Sequence, residues 1–458
     1  MATSGITGGS QIDVQTLVNQ LVAAERRPLD AQVTRATTKV TSQISATSAL
    51  LGALSAFQSQ LNGLKTTTVF SGRATSSTDP DVLTATATAS AVPGRYDVEV
   101  QNLATAQQIS STAFAGGSSA VVGTGQLTIS MGSSSFNVNI GASANTLADV
   151  RNAINSASDN PGVTATIINA ADGAHLVLTS TKTGAANAIQ VTQAGTMNRL
   201  EYTAGNQANY TQLRPAADAR VVIAGYPTTS PTNVIEGVID GVSLNLVSAE
   251  PGTTISIDVT YDKAAAKEKV NSFVQAYNSL RNVLNALGGY NKTTKAAGPM
   301  LGDSLLTGID AELRRTLSEP VAAAGNGAVQ TLADIGITTS DKDGTLKVDD
   351  AKLTAALNGN FDAVSRLFGS SDTGVAARLY NQVTDRLADG AGLDQRTESL
   401  QAQKRALEKK SADIDARMAV VQQTYLKQFT RLDTLLSSLS STSAYLGQQI
   451  DSLPKWSD

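Results

Sequence analysis

Residues 393–421 read LDQRTESLQAQKRALEKKSADIDARMAVV. Leu393, Leu400, Leu407, Ile414 and Val421 fall at every seventh position, and Leu435 resumes the row after the polar Gln428. From Met418 a second row joins it: Met418, Tyr425, Leu432, Leu439 and Leu446. A sustained seven-residue apolar repeat marks a helix that lies along another helix. No Pro or Gly interrupts the run until Gly447, so at 1.5 Å per residue it reaches roughly 80 Å. In its first half the companion positions Thr397, Lys404 and Ser411 are polar. The stripe there is narrow, wide enough to rest on a partner and too narrow for burial all round. Gly447 and Pro454 mark its end.

The other end of the chain repeats the pattern more weakly. Val33, Val40, Thr47, Leu54 and Leu61 recur every seven residues, beside Ala36, Gln43, Leu50, Phe57 and Leu64. Ahead of them Val14, Leu17, Val18 and Leu21 share a helical face that starts from the polar Ser10–Asp13 segment. Pro28 lacks an N–H and predicts a break or kink near Arg27. These rows supply the candidate residues for a helical seam, self-association or partner docking. At the N-terminal end they are Val33, Val40, Leu50, Leu54, Phe57, Leu61 and Leu64. At the C-terminal end they are Leu393, Leu400, Leu407, Ile414, Met418, Val421, Tyr425, Leu432, Leu435 and Leu439.

Residues 75–262 between the helical ends are rich in Thr, Ala, Val, Gly and Asn and read as strands. Tyr96, Val98 and Val100 alternate with polar residues after Pro93-Gly94. Leu127 and Ile129 lead through Gly132-Ser133 to Phe136, Val138 and Ile140. Val163–Ile168 and Leu176–Leu178 flank a turn at 170–173, and Ile255, Ile257, Val259 and Tyr261 follow Pro251-Gly252. One helix interrupts the strands. It opens at Thr146-Leu-Ala-Asp149, a capping-box pattern, and places Leu147, Val150 and Ile154 on one face. Gly116–Ser119 and Gly205–Asn209 are composed as flexible segments and bracket an insertion.

The chain has 458 residues, a net charge of −4, no Cys, one His and 4% aromatics. That length suggests about three domains. The charge argues against a nucleic-acid footprint, which needs a basic stripe. No run of about 18 consecutive apolar residues exists, so no membrane span is expected. The opening MATSGITGGS lacks the charged and apolar regions of a Sec-type signal peptide. Without Cys there are no disulfides, thiolate nucleophiles or Cys-containing zinc sites, and a single His removes His-pair metal sites. No catalytic, cofactor-binding or metal-binding residue is assigned. Composition points to a structural or interaction protein.

Five local patterns invite chemistry and have plainer readings. Asp341–Asp350 lacks the ligand spacing of a calcium loop and reads as a hairpin turn at Asp343-Gly344, with Asp349 or Asp350 capping the next helix. His175 beside Asp172 suggests a triad, but no Gly-x-Ser-x-Gly elbow is present, so His175 reads as a strand residue beside a turn. Gly123-Thr-Gly125 reads as a loop rather than a dinucleotide site. Arg26-Arg27 reads as a solvated helix face more readily than as a contact for an acidic partner. Lys404-Arg405 and Lys409-Lys410, set against Glu408, Asp413 and Asp415, form either a charged outer face or a partner-selecting flank.

In this order the motifs resemble one family. Gly5–Val14 and Leu21–Leu29 are similar to the opening of the bacterial flagellar filament cap proteins, the hook-associated protein 2 (FliD) family. Thr146–Asn155 through Leu176–Ser180 resembles a short module shared by caps and flagellins. Ala217–Ala219, Asn233–Val242, Val270–Asn278, and Leu332–Ile337 with Gly344–Leu346 resemble that family's C-terminal half. The family's Asn-Ala-x-Asp-Ala pattern is Ala216-Ala-Asp-Ala219 here.

The resemblance implies a multidomain α+β protein. An antiparallel helical or coiled-coil domain is built from both chain termini, with two β-rich domains inserted in the middle. The expected parts are a helical leg at 1–74, an inner β-rich domain at 75–112 and 216–262, an outer inserted domain at 113–215, and a C-terminal helical domain at 263–458. The first 40 or so residues are expected to be disordered in the free protein and ordered on docking. The implied function is capping the distal tip of the flagellum: retaining flagellin, aiding its folding and insertion, and so permitting filament growth and motility. The implied partners are further copies in a ring of about five, flagellin, hook–filament junction proteins, and an export chaperone on the C-terminal helix. The implied location is extracellular, reached by the flagellar export route, which suits a Cys-free chain. The alternatives are an adhesin for mucin or host glycans and a junction or filament subunit. An enzyme is not expected.

Overall fold

The computed structural model describes residues 13–291, 295–322 and 329–452. The expected opening motif up to Ile12, and the expected stop at Pro454, therefore lie outside the described residues.

The chain begins with helix α1 (Val14–Asn62). Fifteen strands follow: β1 (Arg73–Ser77), β2 (Leu83–Ala87), β3 (Gly94–Asn102), β4 (Gln108–Ser111), β5 (Gly125–Met131), β6 (Ser134–Ile140), β7 (Val163–Ala170), β8 (Gly173–Ser180), β9 (Ile189–Gly195), β10 (Tyr210–Arg214), β11 (Ala219–Ile223), β12 (Tyr226–Ser230), β13 (Val234–Ile239), β14 (Val242–Leu246) and β15 (Thr254–Tyr261). Helix α2 (Leu147–Ser156) separates β6 from β7. The rest is helical: α3 (Lys263–Gly288), α4 (Ser304–Ser318), α5 (Asp350–Gly359), α6 (Phe361–Gly369), α7 (Val375–Leu387) and α8 (Gly392–Asp451). Two small hairpins lie among them, β16 (Tyr290–Asn291) with β17 (Ala296–Ala297), and β18 (Ile337–Thr339) with β19 (Leu346–Val348).

Two compact units result. The described residues through Thr67 and from Lys267 onward form a helical unit; Thr68–Ala266 form a β unit. The helical unit is centred on an aromatic cluster. Phe57 of α1 meets Phe273 and Tyr277 of α3 at ring distances of 6.4 and 6.2 Å, and Phe273 meets Phe368 of α6 edge-on at 5.4 Å. Leu50, Leu54 and Leu61 of α1 have no exposed surface. One 18-residue window of α1 is apolar and poor enough in charge, by length and composition, to cross a membrane. The sequence expectation of no such stretch looked for consecutive apolar residues; here Ala and Leu raise the average while polar residues intervene. In the fold, those leucines and Phe57 are core residues.

Of the break or kink expected near Arg27, no break occurs: the helix is continuous from Val14 to Asn62 with Pro28 inside it. A single proline forfeits one ladder bond, and packing on both sides can hold the axis. Val22 before Pro28 and Leu29 and Val33 after it pack around Ile414 and Met418 of α8. These contacts pair α1 with α8 along the stretch that the sequence reading expects to become ordered on docking. Its first turn is capped by Asp13, whose carboxylate accepts from the Thr16 amide at 3.0 Å.

The β unit holds two cores. The inner one lies under the sheet β1-β15-β3-β11-β12 and the three-stranded sheet β13-β14-β2 and gathers residues from Val82 to Ala104 and from Ala219 to Val259. The outer one lies under β10-β4-β8-β7 and β6-β5-β9, with α2, and runs from Ile109 to Tyr210. All their strand pairs are antiparallel. β4 was placed with the inner domain by the expected boundary at 112. It pairs with β8 and β10 instead, and Ile109 is an outer-core residue. The boundary therefore falls before Gln108, because strand pairing, which composition does not show, decides it. Gly116–Ser119, composed as a flexible linker, contains a short 3-10 turn closed by the Ala120 amide on the Gly117 carbonyl.

The expected local chemistry is in place. Thr146 and Asp149 form a reciprocal capping box on α2, and Leu147, Val150 and Ile154 are buried. β18 and β19 form the hairpin around Gly344 (φ +72°), and Asp349 caps α5. Asn278 of α3 holds that hairpin: its side chain accepts from the Leu346 amide at 2.7 Å and donates to the Leu346 carbonyl at 2.9 Å.

Candidate functional site

Among the described residues there is no group of three or more His, Cys, Asp or Glu side chains placed to hold a metal. His175 does lie 3.0 Å from Asp172, as a triad would need, but its other ring nitrogen faces the Ser111 carbonyl at 2.7 Å rather than a nucleophile. Both partners are acceptors, so the doubly protonated ring satisfies both at once. The Asp172 carboxylate first, and the Ser111 carbonyl second, push the imidazole pKa above its ordinary 6.5.

The candidate site is instead the long pair α1–α8. The 60 residues of α8 span about 90 Å at helical rise. The helices run antiparallel: Val40 lines a groove of about 530 Å³ with Leu400 and Leu407, Arg26 meets Asp415 at 2.5 Å, and Asn19 accepts from Gln422 at 3.0 Å. Tyr425 donates to Glu25 at 3.4 Å. Arg26 also binds Asp30, at 2.7 Å, and these two carboxylates raise the guanidinium's pKa, Asp30 contributing first. The sequence offered Arg26 as a solvated residue or an acidic partner's contact; the acid is Asp415 of this same chain. Lys404 lies 3.8 Å from Glu408 along the outer face of α8.

The candidate residues divide into three sets. Leu50, Leu54, Phe57, Leu61 and Leu64 are fully buried in the many-helix core, and Leu393 and Leu400 are buried as well. Val33, Val40, Ile414 and Met418 are buried along the two-helix pair, with Leu407, Val421 and Tyr425 half-buried. Leu432, Leu435 and Leu439 are exposed at 46, 57 and 59%. Their row continues through Leu446 to Ile450, also exposed. Ile450 was missed because it falls past Gly447, read as a stop; its position one turn after Leu446 was the available signal. Val22 and Leu29 were missed because Pro28 drew the eye to a break.

The distal end of α8 has a second property. No charged residue occurs between Asp433 and Asp451. Its hydroxyl side chains turn back onto their own helix: Thr434 donates to Thr430 O at 2.8 Å, Ser441 to Ser437 O at 2.9 Å and Thr442 to Ser438 O at 2.8 Å. Such back-bonding satisfies the hydroxyls locally. What remains outward is a row of apolar side chains, Leu432 to Ile450, about five turns long, with no charge after Asp433 to steer or repel a partner.

Comparison with known proteins agrees along the whole chain. Residues 216–441 match the family "Flagellar hook-associated protein 2 C-terminus", residues 10–107 its N-terminus, and residues 126–182 the "Flagellin hook IN motif". The A-type flagellar hook-associated protein 2 of Pseudomonas aeruginosa is 34% identical over 481 aligned positions, covering 99% of each chain. The flagellar hook-associated protein 2 of Escherichia coli K12 is 30% identical over 470, covering 98% of each. The D1-D2-D3 domains of the E. coli flagellar cap protein superpose with a TM-score of 0.60 at 29% identity, over 78% of this chain and 99% of that one. The chain belongs to the flagellar hook-associated protein 2 family, the proteins that cap the flagellar filament.

Proposed function

We propose that this filament cap acts through the exposed row on distal α8, which docks on neighbouring subunits at the growing tip. The observation that carries this reading is the contrast on one helix: Ile414 and Met418 are covered by α1, while Leu432, Leu435, Leu439, Leu446 and Ile450 are exposed, with no charged residue after Asp433 along that row. Burying such a row is worth about 25 cal/mol per Å² of apolar area, so several leucines together give useful affinity without any reaction. The work is assembly: further copies form a ring of about five, arriving flagellin is retained, and space is kept for it to fold and insert. The division into a helical unit drawn from both ends of the chain and a β unit at Thr68–Ala266 serves that work. The junction proteins below the filament and an export chaperone use the same apolar stripe at other times. The chain leaves by the flagellar export route, where the lack of Cys prevents disulfide trapping.

Deleting the gene tests this reading. The expected outcome is shedding of flagellin monomers, no filament and no swimming, all restored by the full chain. Normal filaments in the deletion strain overturn it. An adhesin role alone predicts a strain that swims and fails only to attach.

A further inference from the structure

Strand β7 lies at the edge of the outer four-stranded sheet. Its sequence, VTATIINA, has neither charge nor Pro, the usual devices that protect an edge from pairing with another chain. In the β7–β8 ladder Val163 faces Ser180 and Ala170 faces Gly173, and the Thr181 amide bonds the Gly162 carbonyl. Antiparallel pairing alternates. The backbone groups of Val163, Ala165, Ile167 and Asn169 therefore point away from β8, towards the open edge.

Two asparagines meet the first half of that edge. Asn155 on α2 accepts from the Ala165 amide at 2.8 Å and donates to the Ala165 carbonyl at 2.8 Å. Asn160, in the α2–β7 connection, accepts from the Val163 amide at 2.8 Å and donates to the Val163 carbonyl at 2.7 Å. A carboxamide is a peptide group on a side chain. Each Asn thus exchanges the two bonds that a residue of a neighbouring antiparallel strand exchanges with its opposite number. α2 aims Asn155 there because Ile154 is buried in the outer core and the next residue is turned about 100° to the flank. The arrangement recurs independently: Asn233 makes both bonds to Ala104 (2.7 and 3.1 Å), and Asn278 makes both to Leu346.

We propose that Asn155 and Asn160 are a two-amide plug that stands in for a missing strand and blocks strand addition by another polypeptide along β7, foremost a second copy of this chain. The plug ends before Ile167, which leaves too short a stub to template a strand. Copies crowded together can then touch through side chains without fusing their sheets. This holds whatever surface the cap uses to dock.

The test uses the full chain. Asn155→Ala should raise amide exchange at Ala165 by on the order of tenfold or more, with β5 and β8 amides still protected. It should also give concentration-dependent, thioflavin-positive association absent from the parent. Adding Thr164→Lys, a charge on the exposed side of the same edge, should abolish the association and leave the fast exchange. Association that persists undiminished in the double variant, or never arises in the single one, overturns the proposal. Asn160 also donates to Ile154 O at 2.9 Å and so holds a turn, which makes Asn155 the cleaner site. Should Asn155→Ala expose β5 and β8, Asn155→Leu keeps the side chain's size, adds no charge, loses both bonds to Ala165, and is read by the same two outcomes.

Discussion

Leu50–Leu61 of α1 and Leu432–Ile450 of α8 carry apolar residues at the same three-, four- and seven-residue spacings, yet one stretch is sealed and the other bare. The difference is in what lies opposite. The first meets α3 through rings, α3 in turn meets α6 through Phe273 and Phe368, and Gln58 donates to Thr384 of α7 at 2.8 Å. The second extends past the part of α8 that α1 covers. Periodicity says that a face wants company; it does not say whether the company comes from the same chain. In a protein built to assemble, that distinction separates residues that hold the fold from residues left free for a partner, the role proposed for the distal row.

The largest test is at the sealed end. Phe57→Ala removes a ring that touches both Phe273 and Tyr277, and the helices around it cannot close completely on the void. A cost of about 3–5 kcal/mol is expected in denaturant unfolding followed by helical circular dichroism. A loss under about 1 kcal/mol would mean that the core tolerates the gap, and the contrast between the two stretches would shrink.

Much of this was readable in advance, where the cause is local. The capping box at Thr146 and Asp149, the hairpin at Gly344 and the cap at Asp349 each depend on a few neighbouring residues, and each is where the pattern places it. What escaped depends on partners far along the chain. The continuity of α1 through Pro28 is due to α8, almost four hundred residues on, and β4 joins the outer sheet because of β8 and β10. The asparagines that pair with Ala165, Ala104 and Leu346 are invisible to apolar periodicity, since the signal is one polar residue whose target is a backbone. Of the candidate row, the repeat itself was legible; its division at about Tyr425 was not.

A smaller effect comes from two turns with opposite pH behaviour. His175 has a folded pKa above 6.5, so its contribution to the β unit is fully present below 6.5 and is lost as pH rises through the folded value. Asp343 of the helical unit behaves inversely. Bonds from Thr345 hold its carboxyl down to about 2, so its contribution is present above 3.8 and disappears as pH falls towards 2. His175 is the chain's single histidine, so its ring protons can be followed by NMR without assignment. The midpoint should lie above 6.5 and fall in Asp172→Asn; a midpoint at or below 6.5 in the parent would remove the ring's second bond from the account.

The smallest effect on stability belongs to the bare end, and there it is the most informative. Leu432→Asp alters a side chain nearly half exposed already, so unfolding should shift by no more than about 0.5 kcal/mol. Leu407→Asp, half-buried beside Val40, should cost more, about 1 kcal/mol. Filament growth should rank the other way, with Leu432→Asp failing to restore swimming to a deletion strain although its helical unit melts like the parent's. Stability spent at Phe57 and function spent at Leu432 would then be separable along one pair of helices. A Leu432→Asp chain that unfolds as easily as Phe57→Ala would show that the distal row is core after all, closed by something the parent chain itself supplies, and the two stretches would no longer differ in kind.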